Sequence, residues 1–217
     1  MSGSTKKVYP RLIRPVFCDR HRGKDVLLVL TGKSMKTHWD RVREFGQNKV
    51  VIACNSIPFP AQYHMFTNRK KFCWHHKIVP KETMLLLGCY ISPVVIAKKI
   101  GGRAYEWVYY RGRYPTAKRG SLSVENGIVD VSPCDVGSVM MGVAVAMGAA
   151  KIWIAGMDGF SVHAGGGEHF EEDGDETTME IRLDRERCKW DILAKLKPTI
   201  ITPTVYEEYY AGLADIV

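Results

Sequence analysis

"CDVGSVMMGVAVAMGAAKIWIAGMDGF", residues Cys134 to Phe160, decides the fold. The pattern predicts a helix over Val136 to Met147 with small residues at Gly137, Gly142, Ala144 and Ala146. Small side chains let a helix sit close against a sheet, because close packing leaves no room for a gap or an overlap. Gly148 closes the helix, and "KIWIAG" (Lys151 to Gly156) reads as a short buried strand. In an open α/β sheet, ligands bind beyond the carboxyl ends of the strands. Asp158 therefore stands where a strand delivers a side chain to the ligand crevice. The local sequence also allows Asp158 to cap a following turn.

Working outward, "DVLLVL" (Asp25 to Leu30) is a continuous apolar run of the kind found in parallel strands covered on both faces. After "TGKS", the run "MKTHWDRVREFG" puts Met35, Trp39, Val42 and Phe45 at helical spacing, with Gly46 as its stop, and "KVVIAC" (Lys49 to Cys54) is a second strand. This is a β-α-β unit with a right-handed crossover. Further strands are expected at Gln62 to Phe66, Thr83 to Gly88 and Thr199 to Tyr206, with a short helix or loop in "PVVIAKKIGG". Asn126-Gly127 between apolar runs is a hairpin signal, so a small antiparallel excursion is expected between about Tyr105 and Val131. A charged amphipathic helix is expected from Arg182 to Lys195, with Ile181, Cys188, Ile192 and Leu196 on its apolar side. The expected architecture is α/β: a doubly wound, mostly parallel, Rossmann-like sheet in one domain over residues 25–217. An irregular arm at 1–24 precedes it, and a mobile lid is expected near 159–178.

With 217 residues, 46% of them hydrophobic, the chain can bury a full core. No apolar run reaches membrane-spanning length, and "MSGSTKKVYPRLIRP" lacks the apolar segment of a secretory signal. The expected setting is cytoplasmic, with peripheral contact at the inner membrane face as an option. The net charge of +8 gathers in Lys6 to Arg22, Asn68 to Lys71 and Tyr109 to Gly120. Such patches suit phosphate-bearing partners, or serve as a solvated surface. The run "RGRYPTAKRG" mixes arginine with tyrosine, but no nucleic-acid motif accompanies it, so no nucleic-acid partner is expected. None of the six cysteines forms a C-x-x-C pair. The cluster Cys73, His75 and His76 can be read as metal ligands or as an ordinary loop; without a partner pair at zinc spacing, no metal site is expected.

The turn "TGKS" is not a Walker A loop, since the glycine required five residues before Gly32 is Leu27. It remains a Gly32-Lys33-Ser34 turn opening a helix, where free amides and the helix dipole favour an anion. Gly137-Ser138 opens the later helix in the same way. Two such starts on one sheet edge suggest a nucleotide between them. The segment "HAGGGEHFEEDGDE" (His163 to Glu176) holds two histidines and six carboxylates. It reads as a lid whose His169, tuned by Glu168, Glu171 or Glu172, is a general base; as a site for a hard divalent cation; or as an acidic surface loop.

The succession of small-residue helix, glycine, short strand and Gly-x-Asp resembles the bacterial lipooligosaccharide sialyltransferases (glycosyltransferase family 42). It also resembles the related motility accessory factors and domain-of-unknown-function-115 proteins. The matching positions run from Gly137 through Ala144, Gly148, Ile152 and Gly156 to Asp158, and the Gly32-Lys33-Ser34 turn and Cys54-Asn55 agree as well. The resemblance covers about half the chain. It implies that these loops hold a cytidine nucleotide sugar, with Asn55 and Asn68 at the family's nucleotide asparagines and His169 as its downstream histidine. The sialyltransferases place tyrosines after Gly-x-Asp to stabilise the departing phosphate; here Phe160 and Gly165 to Gly167 stand in their place. Thr31-Gly32 replaces the family's Asn-Gly, and Arg111, Arg113, Lys118 or Arg119 are candidates to supply the lost phosphate contacts.

Three functions follow as expectations. One is transfer of a sugar from a nucleotide, CMP-linked, to a glycan acceptor, with His169 and Asp158 catalytic and Gly32, Lys33, Ser34, Asn55, Asn68, Gly137, Ser138 and Gly156 holding the nucleotide. Another is a pterin-type diphosphokinase, in which Asp158 and the acidic segment bind Mg2+ and ATP donates pyrophosphate. The third is a non-catalytic nucleotide-binding module.

Overall fold

The computed structural model describes residues 17–112, 119–159, 178–213 and 216. Five parallel-sheet strands run in chain order as β1 (Asp25–Val29), β2 (Val50–Cys54), β3 (Tyr63–Phe66), β4 (Met84–Gly88) and β5 (Tyr105–Val108). Between them lie α1 (Met35–Gly46), α2 (Arg69–His75) and α3 (Pro93–Lys99). Then come β6 (Tyr110–Gly112), β7 (Ser121–Glu125), β8 (Ile128–Ser132), α4 (Val136–Ala146), β9 (Lys151–Ala155), α5 (Met179–Leu196) and β10 (Thr199–Ile200). The main sheet has the order β10-β9-β1-β2-β3-β4-β5 with every pair parallel. The chain winds outward from β1 to β5, returns to β9 on the other side of β1, and steps out to β10. The fold is a doubly wound α/β sheet whose topological switch point lies between β1 and β9.

The strands β1, β2, β4 and β9 are mainly apolar on both sides because each face of the sheet is covered there. Leu27 and Val29 join Met35 and Val42 of α1, with Val51, Ala53, Trp153 and Ala155, in one core. Phe66, Phe72, Leu85, Leu87 and Ile96 continue that face under α2 and α3. Val26, Leu28, Ile52, Met65, Leu86 and Ile154 point the other way, toward α4 and the inner side of α5. The expected spacing of Met35, Trp39, Val42 and Phe45 holds: all four pack on the sheet.

The unusual smoothness of α4 has a direct cause. Nine of its eleven residues are buried, since it lies between two sheets. One side packs on the main sheet, where a Cβ on Gly137 would come 2.7 Å from Leu30 Cδ2. The other side meets the small sheet β6-β8-β7, where a Cβ on Gly142 would strike the Val129 side chain. Five residues at ~100° each put these glycines about 140° apart around the axis, so each serves one sheet. A helix apolar all round is a buried helix.

The small sheet corrects the expected excursion. Its hairpin is where Asn126-Gly127 places it: β7 and β8 are antiparallel, Glu125 faces Ile128, and both turn residues have positive φ, 52° and 77°. Yet Tyr105 to Val108 is not part of it. That run is β5, the seventh strand of the main sheet, and β6 then pairs with β8 in parallel. The expected arm also ends earlier than residue 24. Phe17 is fully buried, and the amides of Asp19, His21 and Gly23 donate to the carbonyls of Ala146, Met147 and Gly148 at 2.8–3.0 Å. Those carbonyls end α4 and would otherwise lack donors. The last expected strand is cut to Thr199–Ile200, because Thr202 and Thr204 turn their hydroxyls onto Gly156 and Met157. No helix among the described residues is long and apolar enough to cross a membrane.

Gly142→Leu forces a side chain into Val129. Overpacking costs about 1–3 kcal/mol, and the better helix propensity of leucine offsets only about 0.8 of it. The variant is expected to lose stability in urea unfolding. Val145→Ala, at the one exposed position of α4, is expected to stay within about 0.5 kcal/mol of wild type.

Candidate functional site

The switch point brings the two predicted signatures together. Pairing of β1 with β9 continues past the strand ends: Leu30 N donates to Ala155 O at 2.8 Å and Gly32 N to Gly156 O at 2.9 Å. Two residues further, Asp158 reaches across to the first turn of α1. Its Oδ2 accepts from Ser34 N at 2.7 Å and its Oδ1 from Ser34 Oγ at 2.5 Å. Asp158 thus caps α1 from across the sheet. Its partner Ser34, the N-cap of that helix, lies 124 residues earlier. The glycines are explained by the same closeness. A Cβ on Gly32 would overlap Gly156 O and the Asp158 carboxylate, and one on Gly156, at φ 72°, would overlap Leu30 O. Lys33 is exposed beside this clamp.

At α4 the helix start is capped in kind. Asp135 Oδ1 accepts from Ser138 N at 3.0 Å, and Asp135 Oδ2 lies 3.2 Å from Lys189 Nζ on α5. Both glycine-bearing helix starts therefore carry a carboxylate where the sequence suggests open amides. The side chain of Ser138 is different: its Oγ is buried without a hydrogen-bond partner among the described residues.

Asn55 ends β2 on the same sheet edge, in a left-handed conformation at φ 49°. Its amide donates to Met65 O at 3.2 Å, and its carbonyl accepts from His64 Nε2 at 3.0 Å. These bonds hold the turn, while Asn55 Oδ1 and the neighbouring Ser56 Oγ are buried and unpaired among the described residues. Asn68 is placed otherwise. It is the N-cap of α2, with Oδ1 accepting from Lys71 N at 2.9 Å. The structure thus gathers Gly32, Ser34, Gly156 and Asp158 into one clamp, sets Asn55, Gly137 and Ser138 along the same edge, and commits the Asn68 carbonyl oxygen to a helix cap. His169 lies outside the described residues, as do Arg113 and Lys118. Arg111 forms a two-pronged pair with Asp130, and Arg119 an exposed pair with Asp184. Cys73, His75 and His76 sit where α2 runs into a 3-10 turn, with His76 Nδ1 donating to Phe72 O. No group of three His, Cys, Asp or Glu side chains fit for a metal ion occurs among the described residues.

Sequence reasoning missed part of the site. The inner face of α5 was expected to be Ile181, Cys188, Ile192 and Leu196. Cys188 and Ile192 are buried, but Ile181 is exposed, and Arg182, Glu186 and Lys189 turn inward instead. Glu186 Oε2 lies 3.0 Å from where Gly159 would carry a Cβ, so this face borders the loop that holds Asp158. Tyr206 closes the same region. Burial, reinforced by the Glu186 and Asp135 carboxylates, pushes its hydroxyl well above the ordinary tyrosine range. Asp135 was legible as the Asp of an Asp-x-x-Ser helix start; Lys189 and Tyr206 carry no local signal. Comparison with protein-family models and with curated proteins finds no match to this chain.

Two expectations follow from this geometry. A carboxylate accepting two bonds from one serine contributes about 1.5–3 kcal/mol per charged hydrogen bond. In a double-mutant cycle by denaturant unfolding, Asp158→Asn and Ser34→Ala should couple by about 1 kcal/mol or more; additive losses would mean the clamp is idle. The second concerns pH. Burial drives His64 down to about 4 from 6.5 despite its bond to Asn55 O. Between those values the unfolded chain binds a proton that the native state refuses. Stability present above pH 6.5 is therefore lost as the pH falls toward 4, by on the order of 3 kcal/mol. His64→Gln, which retains an N–H donor, should remove that part of the acid sensitivity.

Proposed function

We propose that the protein transfers a sugar from a cytidine nucleotide to a hydroxyl acceptor, with the nucleotide held at the switch point. The observation that carries this reading is the set of buried atoms along one sheet edge that have no partner among the described residues: Asn55 Oδ1, Ser56 Oγ and Ser138 Oγ. Each unsatisfied buried polar group costs about 1–3 kcal/mol. A ligand rich in hydrogen-bonding groups recovers that cost, as a ribose and a base with an exocyclic amine do. The location agrees, since doubly wound sheets bind nucleotides outside the carboxyl ends at the switch point. The resemblance of the Gly137 to Asp158 segment to the sialyltransferase group supplies the choice of cytidine.

On this reading the acceptor oxygen attacks the anomeric carbon, the bond from that carbon to the phosphate oxygen breaks, and CMP leaves with its electron pair. The acceptor proton passes to His169, whose unperturbed value of about 6.5 suits a base at neutral pH. Asp158 acts by fixing Ser34 and the β1–α1 turn, so it is a positioning residue in this scheme.

Titration calorimetry with CMP, CDP, UDP, GDP and ATP, each with and without Mg2+, tests the reading. CMP binding that survives chelation and weakens about 10-fold in Asn55→Ala and Ser138→Ala is expected. Binding of ATP alone, and only with Mg2+, points to the diphosphokinase instead. In a transfer assay His169→Ala should lower turnover about 100-fold or more and leave CMP affinity nearly unchanged.

A further inference from the structure

Lys189 has no business in an ordinary core. Along α5 the inward positions one turn later are Ile192 and Leu193, both fully buried. Apolar residues are the inexpensive solution there, because taking an ammonium out of water costs several kcal/mol even when a partner is supplied. Yet Arg182, Glu186 and Lys189, spaced by four and three residues, all turn inward and are more than nine-tenths buried. Glu186 and Lys189 face the candidate site. Glu186 borders Gly159, next to Asp158, and the Tyr206 hydroxyl donates to Glu186 O at 3.4 Å. Val205 N donates to Asp158 O at 2.9 Å, which ties the chain after β10 to the same loop. Lys189 Nζ lies 3.2 Å from Asp135 Oδ2 at the start of α4.

We propose that Lys189 is the cation that receives the phosphate of the bound nucleotide, with Asp135 as its counter-ion while the crevice is empty. This rests on the nucleotide reading above and adds to it the group that carries the leaving charge. Three features of the geometry fit. The Asp135–Lys189 pair sits at the first turn of an eleven-residue helix, whose dipole favours an anion. Among the described residues, Asp135 Oδ2 is buried and receives no well-directed hydrogen bond, although Lys189 Nζ is 3.2 Å away. The pair is therefore an electrostatic contact that a better acceptor can outbid. Ser138 Oγ, one turn into the helix and fully buried, has no partner among the described residues and can donate to the same phosphate. Of the basic residues suggested by the sequence, the two that are described, Arg111 and Arg119, are less suited. Arg111 is spent on Asp130 in the small sheet, and the Arg119 side chain is 71% exposed. A phosphate departing from a sugar gains charge, and a fixed buried cation stabilises that charge more than a solvated one does.

The test compares CMP with cytidine, which differ by the phosphate alone, by calorimetry on the full chain. Wild type should prefer CMP. Lys189→Met should lose about 10-fold or more in CMP affinity while cytidine affinity moves by less than about 2-fold. Lys189→Arg should restore most of the preference. Asp135→Asn retains a good helix cap and removes the competing carboxylate, so it should raise the CMP-to-cytidine ratio. A Lys189→Met protein with the wild-type ratio overturns the proposal. Should that variant fail to fold, Asp135→Asn decides, and an unchanged or lower ratio overturns it. A wild type that binds neither compound overturns the nucleotide reading, and this proposal with it.

Discussion

Everything in this molecule is arranged around the close burial of α4 between two sheets. A helix flanked by solvent needs one apolar face; a helix flanked by two sheets needs small residues at each line of closest approach. Gly137 supplies one contact, against Leu30, and Gly142 the other, against Val129. With α4 fixed in depth, its first turn is fixed at the carboxyl edge of the main sheet, and its last turn is stoppered by the amides of Asp19, His21 and Gly23. The small sheet is then more than an ornament on the doubly wound fold. It is the second wall that holds α4, and with it Asp135 and Ser138, at the candidate site.

The same economy governs the switch point. Two chain segments that meet only in space share a continuous ladder from Leu30 to Gly32, and the Asp158 carboxylate completes it at Ser34. Positions that resemble phosphate-binding elements in isolation are committed here to joining the two halves of the sheet. What is left for a ligand is the row of unsatisfied side chains beside that junction, bordered by the charged face of α5.

Much of the fold was legible because it is encoded locally. Continuous apolar runs marked β1, β2 and β9, a 3.6-residue period marked α1, and Asn126-Gly127 marked the hairpin. The elements misread are those whose neighbours decide them. Tyr105 to Val108 alternates aromatic and charged residues, as an edge strand with one covered side does, and nothing local says which sheet it joins. Residues 17–23 show no period, because the amides of Asp19, His21 and Gly23 bond to the end of α4 while those of Arg20 and Arg22 close tight turns within the segment. At the site, the position of Asp158 just beyond β9 was legible, but its bond to Ser34 at the start of α1 is a long-range contact invisible in the sequence. Arg182, Glu186 and Lys189 looked like an outer face for the plain reason that charges usually are.

The position of β1 also shapes how this chain must be made. Its ladder partner on one side, β2, follows within 25 residues, while Asp25 pairs on the other side with Lys151. As the chain emerges in order from the ribosome, the first β-α-β unit can assemble well before β9 exists. Until then the central strand Val26–Val29, fully buried in the finished protein, is an open sheet edge of four aliphatic residues. Such an edge is a template for pairing with another chain. A nascent or truncated chain lacking residues 151–155 is thus an adhesive half-sheet, and the arrival of β9 both completes the crevice and removes that edge from reach.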